Sequence, residues 1–209
     1  LKAKQISKKN ILIAGSLPAQ NDTYLPDERD KTLIKKDFSD QANLLEPFID
    51  FFYLDVLSSI REIEIALSVV EKTNLPVWLS ISCVMNAKND KVMLGYSDSI
   101  DTDTHIYESL DVAIKNFSKL HKGPILIAHS DINVTGEAVI TAKKNFQGIL
   151  GAYPNRGYFE KPNWKFIDNI TPNDYLEYAK SWLKNGAQIV GGCCGVGVEE
   201  IKAISVLKN

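Results

Sequence analysis

Two adjacent cysteines, Cys193 and Cys194, follow the apolar run "QIVGG" near the end of the chain and precede another glycine. Consecutive Cα atoms in a trans chain are about 3.8 Å apart. That is closer than in ordinary disulfides, so a bond between neighbouring cysteines would be strained. The flanking glycines relax the backbone and allow both sulfur atoms to face one point. Two converging thiolates suit a soft or borderline metal, above all zinc.

Other polar residues stand where short apolar runs end. Each run has four to seven residues and is bounded by Gly, Pro, Asn or Asp, which is typical of buried parallel strands. The predicted strands are 11–14, 51–56, 77–82, 125–128, 149–153 and 188–191. The polar residues at their carboxyl ends include Ser16, Asp55, Cys83, His129, Ser130, Asp131, Tyr153 and Asn155. In β/α barrels, this rim carries the chemistry.

Amphipathic patterns between these runs predict the helices that would hold the strands in place. Ser59 and Glu62 have the spacing of a helix start, and Thr171-Pro172 begins a helix that Gly186 ends. The other predicted helices are 30–49, 103–120, 134–145 and 199–208. The stretches 86–103 and 156–169 are polar and are predicted to be loops. His105 and His121 are expected to be solvated.

Alternating strands and helices indicate an α/β fold with a parallel sheet. Six units would suit an open doubly wound sheet, but no glycine-rich dinucleotide motif or Walker motif follows any predicted strand. A closed (β/α)₈ barrel needs eight strands, which is two more than the pattern contains. The 209 residues are expected to form a single domain.

Composition excludes several classes of function. A net charge of -2 offers no electrostatic footprint for nucleic acid or an anionic membrane. No apolar run is long enough to span a bilayer, and no signal peptide is visible. Three cysteines are too few for a disulfide framework, so a reducing cytoplasm is the expected compartment.

The segment "GAYPNRG", followed some forty residues later by "IVGGCCGVGVEEIKAI", resembles the homocysteine S-methyltransferase family. This zinc-dependent family includes the betaine–homocysteine and S-methylmethionine–homocysteine methyltransferases. Further similar segments are "IAGSLP" with "YLPD", "FFYLDVLSSIREIEIAL" and "LPVWLSISC", so the resemblance covers essentially the whole chain.

The resemblance implies a TIM-type (β/α)₈ barrel of which about six units are present, as one domain over 1–209 that lacks an N-terminal part. It also implies a reaction in which a small methyl donor methylates the zinc-activated thiol of homocysteine and gives methionine. Cys193 and Cys194 would then bind zinc as the cofactor. Ser16, Asp55, Tyr153 and Asn155 would line the substrate pocket, with Asp55 where the family usually has a glutamate.

One position departs from the family pattern. Ser130 stands where the resemblance implies a third zinc-binding cysteine, and a hydroxyl is a much weaker ligand. His129 or Asp131 could substitute, because imidazole and carboxylate both bind zinc. His129 lies one residue away, however, which on a regular strand means the opposite face unless a bulge intervenes. Cys83 is a less favoured third ligand and is expected to be a small buried apolar residue.

Two other functions therefore stay open. The chain could be a non-catalytic or metal-deficient homologue that binds a small amino acid or a methylated amine. It could instead be a zinc-free barrel enzyme that uses His129 and Asp131 as acid and base.

The expected partners are homocysteine and a methyl donor. An incomplete barrel would expose strand edges through which copies of the chain could associate as a homo-oligomer.

Overall fold

A six-stranded parallel sheet forms the centre of the fold, and its strands follow one another in chain order. The computed structural model describes residues 2–7, 10–21, 26–86, 90–95, 108–160, 163–166 and 170–208. The sheet strands are β1 (Ala14–Pro18), β2 (Phe51–Leu57), β3 (Val77–Ile81), β6 (Ile125–Asp131), β7 (Leu150–Asn155) and β10 (Ile189–Val190). A doubly wound sheet reverses its strand order partway, whereas a barrel does not, so this order belongs to a barrel.

Seven α-helices accompany the strands in the described part of the chain. They are α1 (Lys2–Ile6), α2 (Lys31–Leu45), α3 (Ile60–Val70), α4 (Leu110–Leu120), α5 (Ile132–Asn145), α6 (Pro172–Lys184) and α7 (Val198–Ile204). Short 3₁₀ turns at Glu46–Phe48 and Ser205–Leu207 extend α2 and α7. None of these helices has the length and apolar character needed to cross a membrane.

The hydrophobic core lies between the sheet and the helices. Alternate strand residues such as Phe52 and Leu54 of β2 are fully buried there, together with Phe38 of α2 and Trp182 of α6. The intervening residues of each strand, which include Tyr53 and Asp55, face the other side of the sheet because side chains alternate along a strand. One face of the sheet therefore builds the core and leaves the other face for a site.

The sheet does not close on itself among the described residues, where it runs from β1 at one edge to β10 at the other. Along β1, exposed and buried residues alternate, so one face of this edge strand is open to solvent. Two antiparallel hairpins lie outside the sheet. They are formed by β4 (Cys83–Asn86) with β5 (Lys91–Leu94) and by β8 (Gly157–Glu160) with β9 (Asn163–Phe166).

Three predictions about local structure were wrong. The first strand is Ala14–Pro18 and not 11–14, because hydrogen bonding with β2 pairs Ala14 with Phe51 and leaves Leu12 exposed. Ser16 thus lies within the strand. The stretches predicted as polar loops contain strand β5 and the whole β8–β9 hairpin, since strands of such hairpins need less apolar sequence than the strands of a buried sheet.

The third wrong prediction concerns a histidine. His121 is buried, its ring Nε2 lies 3.2 Å from the carbonyl oxygen of Pro124, and burial lowers its pKa. His105 lies outside the described residues. The predicted helix starts at Ser59 and Thr171 are confirmed, because both hydroxyls accept a hydrogen bond from a backbone N–H of the first turn.

Glu62 in the first turn of α3 has an unusual environment for a carboxylate, because it is fully buried. Its Oε2 accepts a hydrogen bond of 2.8 Å from the Ser59 hydroxyl, whereas Oε1 has no hydrogen-bond partner among the described residues. Burial raises the pKa of Glu62, and the bond from Ser59 opposes this shift only in part. Folding therefore shifts the Glu62 equilibrium towards the protonated acid, relative to the unfolded chain.

We expect Glu62→Gln to stabilise the fold at neutral pH but not at low pH. A raised pKa in the folded state means that stability is full below the unfolded pKa of about 4.3 and falls as pH rises through the folded pKa. The amide cannot ionise, so the variant avoids that loss. Urea unfolding between pH 4 and 8 measures the difference, with the exposed Glu64→Gln on the same helix as the control. Equal pH profiles for wild type and Glu62→Gln would contradict the prediction.

Candidate metal and substrate site

His129, Cys193 and Cys194 form a compact cluster at the carboxyl ends of the strands. The two sulfur atoms are 3.8 Å apart, and His129 Nδ1 lies 3.7 Å from the sulfur of Cys193 and 4.0 Å from that of Cys194. Among the described residues, this is the group of His, Cys, Asp or Glu side chains that could hold a metal ion. His129 is buried, and both cysteines are partly exposed.

A bulge in β6 brings the His129 ring to the cysteines. Between β6 and β7, Ala128 pairs with Tyr153 and Asp131 with Asn155, so two residues of β6 oppose one of β7. His129 itself has φ 49°, in the left-handed region. The extra residue breaks the alternation of side chains, so His129 turns towards the cysteine pair. The bulge that His129 needs in order to face the cysteine pair is therefore present.

Ser130 does not share the cluster. Its hydroxyl is fully buried, donates to the carbonyl oxygen of Ala128 at 2.9 Å and accepts from the backbone N–H of Cys83 at 2.9 Å. Asp131 also has a structural hydrogen bond. Its carboxylate caps α5 by accepting from the Asn133 N–H at 2.8 Å. Of the three β6 residues considered as ligands, the structure places His129 beside the thiols and gives the other two structural contacts.

Cys83 is buried away from the cluster, as expected for a small apolar residue. Burial raises the pKa of its thiol, and the hydrogen bond to Ser130 opposes that effect. Cys83 therefore stays protonated at neutral pH and is a poor metal ligand.

The loop that carries the cysteines is fixed to the end of β7. The N–H of Cys193 donates to the carbonyl oxygen of Pro154 at 2.8 Å, and the N–H of Cys194 donates to Oδ1 of Asn155 at 3.1 Å. Gly195 has φ 77°, a conformation that residues with a Cβ rarely adopt. Asn155 is fully buried beneath the loop, where it holds the backbone of Cys194, and its place in a substrate pocket stays a prediction.

Hydrogen bonding between the two thiols separates their proton affinities. The hydrogen bond with the Cys193 thiol, and to a lesser extent the one with His129, lowers the pKa of Cys194 to about 5. The same pairing with Cys194, reinforced by burial, raises the pKa of Cys193. The metal-free pair therefore titrates as a unit, in which Cys194 loses its proton more readily than Cys193.

Asp55 faces the cluster from β2. Its carboxylate accepts hydrogen bonds from Ser16 at 3.1 Å and from Ser80 at 3.4 Å, so the structure brings Ser16 and Asp55 together. Burial raises the pKa of Asp55, whereas these hydroxyls and the nearby His129 lower it. A partly buried carboxylate with two hydroxyl donors is a suitable partner for an ammonium group.

Two tyrosines line the same side of the sheet. Burial raises the pKa of the half-buried Tyr153, and burial raises that of Tyr53 as well. Both phenols therefore remain neutral hydrogen-bonding groups beside the thiols. Sequence reasoning missed Tyr53 and Ser80, although alternation along β2 and β3 places them on the same face as Asp55. It also missed Arg156 and Glu200, which contact the cysteine loop.

Comparisons with known proteins agree with this architecture. The sequence profile of the homocysteine S-methyltransferase family matches residues 2–207, so the chain belongs to that family, as its motifs predicted. The metallated form of the homocysteine methyltransferase MmuM from Escherichia coli superposes with a TM-score of 0.70 at 18% identity, over 99% of this chain and 65% of that one. This likeness confirms the predicted barrel-type fold, with six strands present here.

Curated relatives include selenocysteine methyltransferase from Astragalus bisulcatus, which is 24% identical over 95% of this chain. Homocysteine S-methyltransferase 2 from Zea mays is 25% identical over 77% of it. The chain spans 59% and 45% of the lengths of these two proteins.

Val56, directly after Asp55, has a left-handed backbone conformation, as His129 does. Val56 has φ 57° at a register shift between β2 and β3, where its N–H donates to the Ser80 hydroxyl at 3.2 Å. A β-branched residue rarely adopts this conformation. Such strain gathers at functional sites, where the surrounding structure holds it in place.

We expect Val56→Gly to raise the free energy of unfolding by up to about 1 kcal/mol. The left-handed conformation costs an ordinary residue about 1–2 kcal/mol, and glycine avoids this cost. Part of the stabilisation is offset, because glycine loses more conformational entropy on folding than valine does. Urea unfolding measures the change. Val112→Gly, on the exposed face of α4, is the matched control and should lose about 1 kcal/mol. Similar losses in both variants would show that Val56 is not strained.

Proposed function

We propose that this chain carries the metal and amino-acid site of a homocysteine S-methyltransferase. The reaction would transfer a methyl group from a small donor to the thiol of homocysteine and give methionine. A reducing cytoplasm, in which the three free cysteines stay reduced, is the proposed setting. The observation that carries the proposal is the cluster of His129, Cys193 and Cys194.

The spacing of the three donor atoms fits a tetrahedral zinc ion. Zinc–sulfur bonds of about 2.3 Å and zinc–nitrogen bonds of about 2.0 Å, at tetrahedral angles, place two sulfurs about 3.8 Å apart and a sulfur and a nitrogen about 3.5 Å apart. The corresponding distances here are 3.8 Å, 3.7 Å and 4.0 Å. Two thiolates and one imidazole also form a donor set that zinc favours. We therefore assign His129 as the third ligand in place of Ser130.

Three protein ligands leave one position of a tetrahedral ion for substrate. Zinc bound here would keep the homocysteine sulfur deprotonated at neutral pH, where a free thiol of pKa about 8.5 is mostly protonated. The remaining groups orient the substrate. Asp55, held by Ser16 and Ser80, is proposed to accept the ammonium group.

Tyr153 and Asn155 have different proposed tasks. Tyr153 stays neutral beside the thiols, so its hydroxyl can contact the bound amino acid without adding charge to the site. Asn155 would act indirectly, because its amide oxygen fixes the N–H of Cys194. Holding the sulfur and the methyl donor in line is the main demand of such a transfer.

The alternative is a metal-deficient homologue that binds a small amino acid or a methylated amine without catalysis. The observation in its favour is Ser130, whose hydroxyl is committed to two hydrogen bonds at the position where the family resemblance implies a thiolate. The third possibility, in which His129 and Asp131 act as acid and base, loses support because the Asp131 carboxylate caps α5.

Elemental analysis of the chain purified without chelators tests the metal assignment. We expect about one zinc per chain, and we expect His129→Asn to lose it, because asparagine tolerates the left-handed backbone but does not replace imidazole as a ligand. His121→Asn is the control, since His121 is equally buried but lies outside the cluster.

Two results would contradict the assignment. Retention of zinc by His129→Asn would show that another group is the third ligand. Absence of zinc from the wild type, together with about one zinc in Ser130→Cys, would favour the metal-deficient homologue, because it would mean that the site needs the thiolate it lacks.

Asp55 is tested by titration of the zinc-loaded chain with homocysteine. We expect Asp55→Ala to weaken binding by about 10- to 100-fold, as loss of a hydrogen bond to a charged group does. Zinc content should not change, because Asp55 is outside the cluster of donor atoms. Asp55→Asn keeps the shape of the side chain and isolates the effect of charge. Wild-type affinity in both variants would remove Asp55 from the substrate site.

A further inference from the structure

We propose that Arg156 and Glu200 form a positioning strut that fixes the cysteine loop, residues 192–197, in its metal-binding geometry. Neither side chain belongs to the metal cluster. The expected effect on metal affinity rests on the proposed function. The claim that the strut orders the loop does not, and it can be tested without metal.

Arg156 joins three separate segments of the chain. Its backbone N–H donates to the carbonyl oxygen of Cys194 at 2.8 Å. Its side-chain Nε donates to the carbonyl oxygen of Gly195 at 2.9 Å, and Nη1 donates to that of Ile170 at 3.1 Å. The rigid fork of the guanidinium group can serve several acceptors at fixed positions, which an ammonium group cannot do.

Glu200 anchors the other end of the strut. Its Oε1 accepts from Arg156 Nη1 at 2.8 Å, and its Oε2 accepts from the N–H of Gly197 at 2.8 Å. Glu200 is therefore bonded both to the strut and to the end of the cysteine loop, at the start of α7. The side chains of Arg156 and Glu200 are only 20% and 7% exposed.

Burial of this pair points to a positional role. Removing two charges from water costs free energy that their attraction often fails to recover, so a buried ion pair is weak evidence for stability. Here both partners also bond backbone groups of one short loop, where their fixed geometry limits its conformations. Within the described part of the chain, the exposed pair Lys36 and Asp40, one turn apart on α2, has no such backbone contacts beyond its own helix.

The loop needs external support because its sequence supplies little of its own. Three of its six residues are glycines, which gain the most freedom when a segment is released. Pro154 and Asn155 hold Cys193 and Cys194 from the side of β7. Arg156 and Glu200 hold the following residues. Together they keep two thiols, which repel each other once ionised, near the His129 ring.

The first arm of the test measures zinc affinity by competition with a chromogenic chelator. We expect Arg156→Met to weaken zinc binding by about 10- to 100-fold, as loss of an outer-shell partner does. Arg156→Lys keeps the charge but not the fork, so most of the loss should remain. Arg61→Met is the matched control, because Arg61 also donates to backbone carbonyls at the rim, those of Asp27 and Arg29, but not to the cysteine loop.

The second arm uses the metal-free chain and measures alkylation of each cysteine by iodoacetamide. We expect Arg156→Met to speed the modification of Cys193 and Cys194 by about tenfold, because the loop opens more often. Buried Cys83 is an internal reference, since its rate rises only if the whole fold loosens. Glu200→Gln, a milder change at the same contact, replaces Arg156→Met should that variant fail to fold.

The two arms separate failure of the strut from failure of the proposed function. Wild-type zinc affinity and alkylation rates in both Arg156 variants would overturn the strut. If Arg156→Lys has the zinc affinity and the alkylation rates of the wild type, the fork of the guanidinium group has no role and the positive charge alone supports the loop. A wild-type chain that binds no zinc would contradict the proposed function, while faster alkylation in Arg156→Met would still support the strut.

Discussion

The extra residue that β6 inserts opposite β7 determines which side chain faces the cysteine pair. With regular alternation from Ala128 onward, His129 would point away from the face that carries Tyr153 and Asp55. The bulge reverses this, so the imidazole approaches both sulfur atoms while the Ser130 hydroxyl turns into the protein. The spacing of the donor atoms, and with it the case for a metal, depends on this single insertion.

Bulges disturb the hydrogen bonding of a sheet, and three buried serines compensate for this. Ser80 accepts from the N–H of Val56, and Ser82 donates to the carbonyl oxygen of His129. Ser130 accepts from the N–H of Cys83. Small hydroxyl groups suit this task because they reach backbone atoms nearby without filling the space that a substrate needs. The polar rim therefore contains residues that support strained backbone as well as residues that face the site.

The sequence predicted the parts of the fold that depend on local pattern. Apolar runs located the strands, and Ser59 and Thr171 located two helix starts, because burial and capping leave signals within a few residues. The start of β1 was misplaced because its register is decided by pairing with β2, which is distant in sequence. The two hairpins were missed because ribbons outside the main sheet need only short stretches of apolar sequence.

The candidate site likewise contains residues that the sequence could predict and residues that it could not. The cysteine pair, Asp55, Tyr153 and Asn155 could be chosen from residue type and position at strand ends, and the family resemblance added the expectation that the last three line a substrate pocket. The direction of His129 could not be read in advance, since a bulge depends on hydrogen bonding between two strands and has no fixed signature. Nor could Asn155 be recognised as a support of the loop, because that role needs the loop to fold back over β7.

The metal-ligating cluster and the Ser16–Asp55 contact are built on different strands of the sheet. His129 on β6 and the cysteines after β10 are joined through β7, so three neighbouring strands supply the cluster and the strut that supports it. Asp55 and Ser16 lie on β2 and β1, at the opposite edge, which no further strand covers among the described residues. The proposed metal site therefore rests on contacts among β6, β7 and the cysteine loop, whereas the proposed ammonium site rests on β1 and β2.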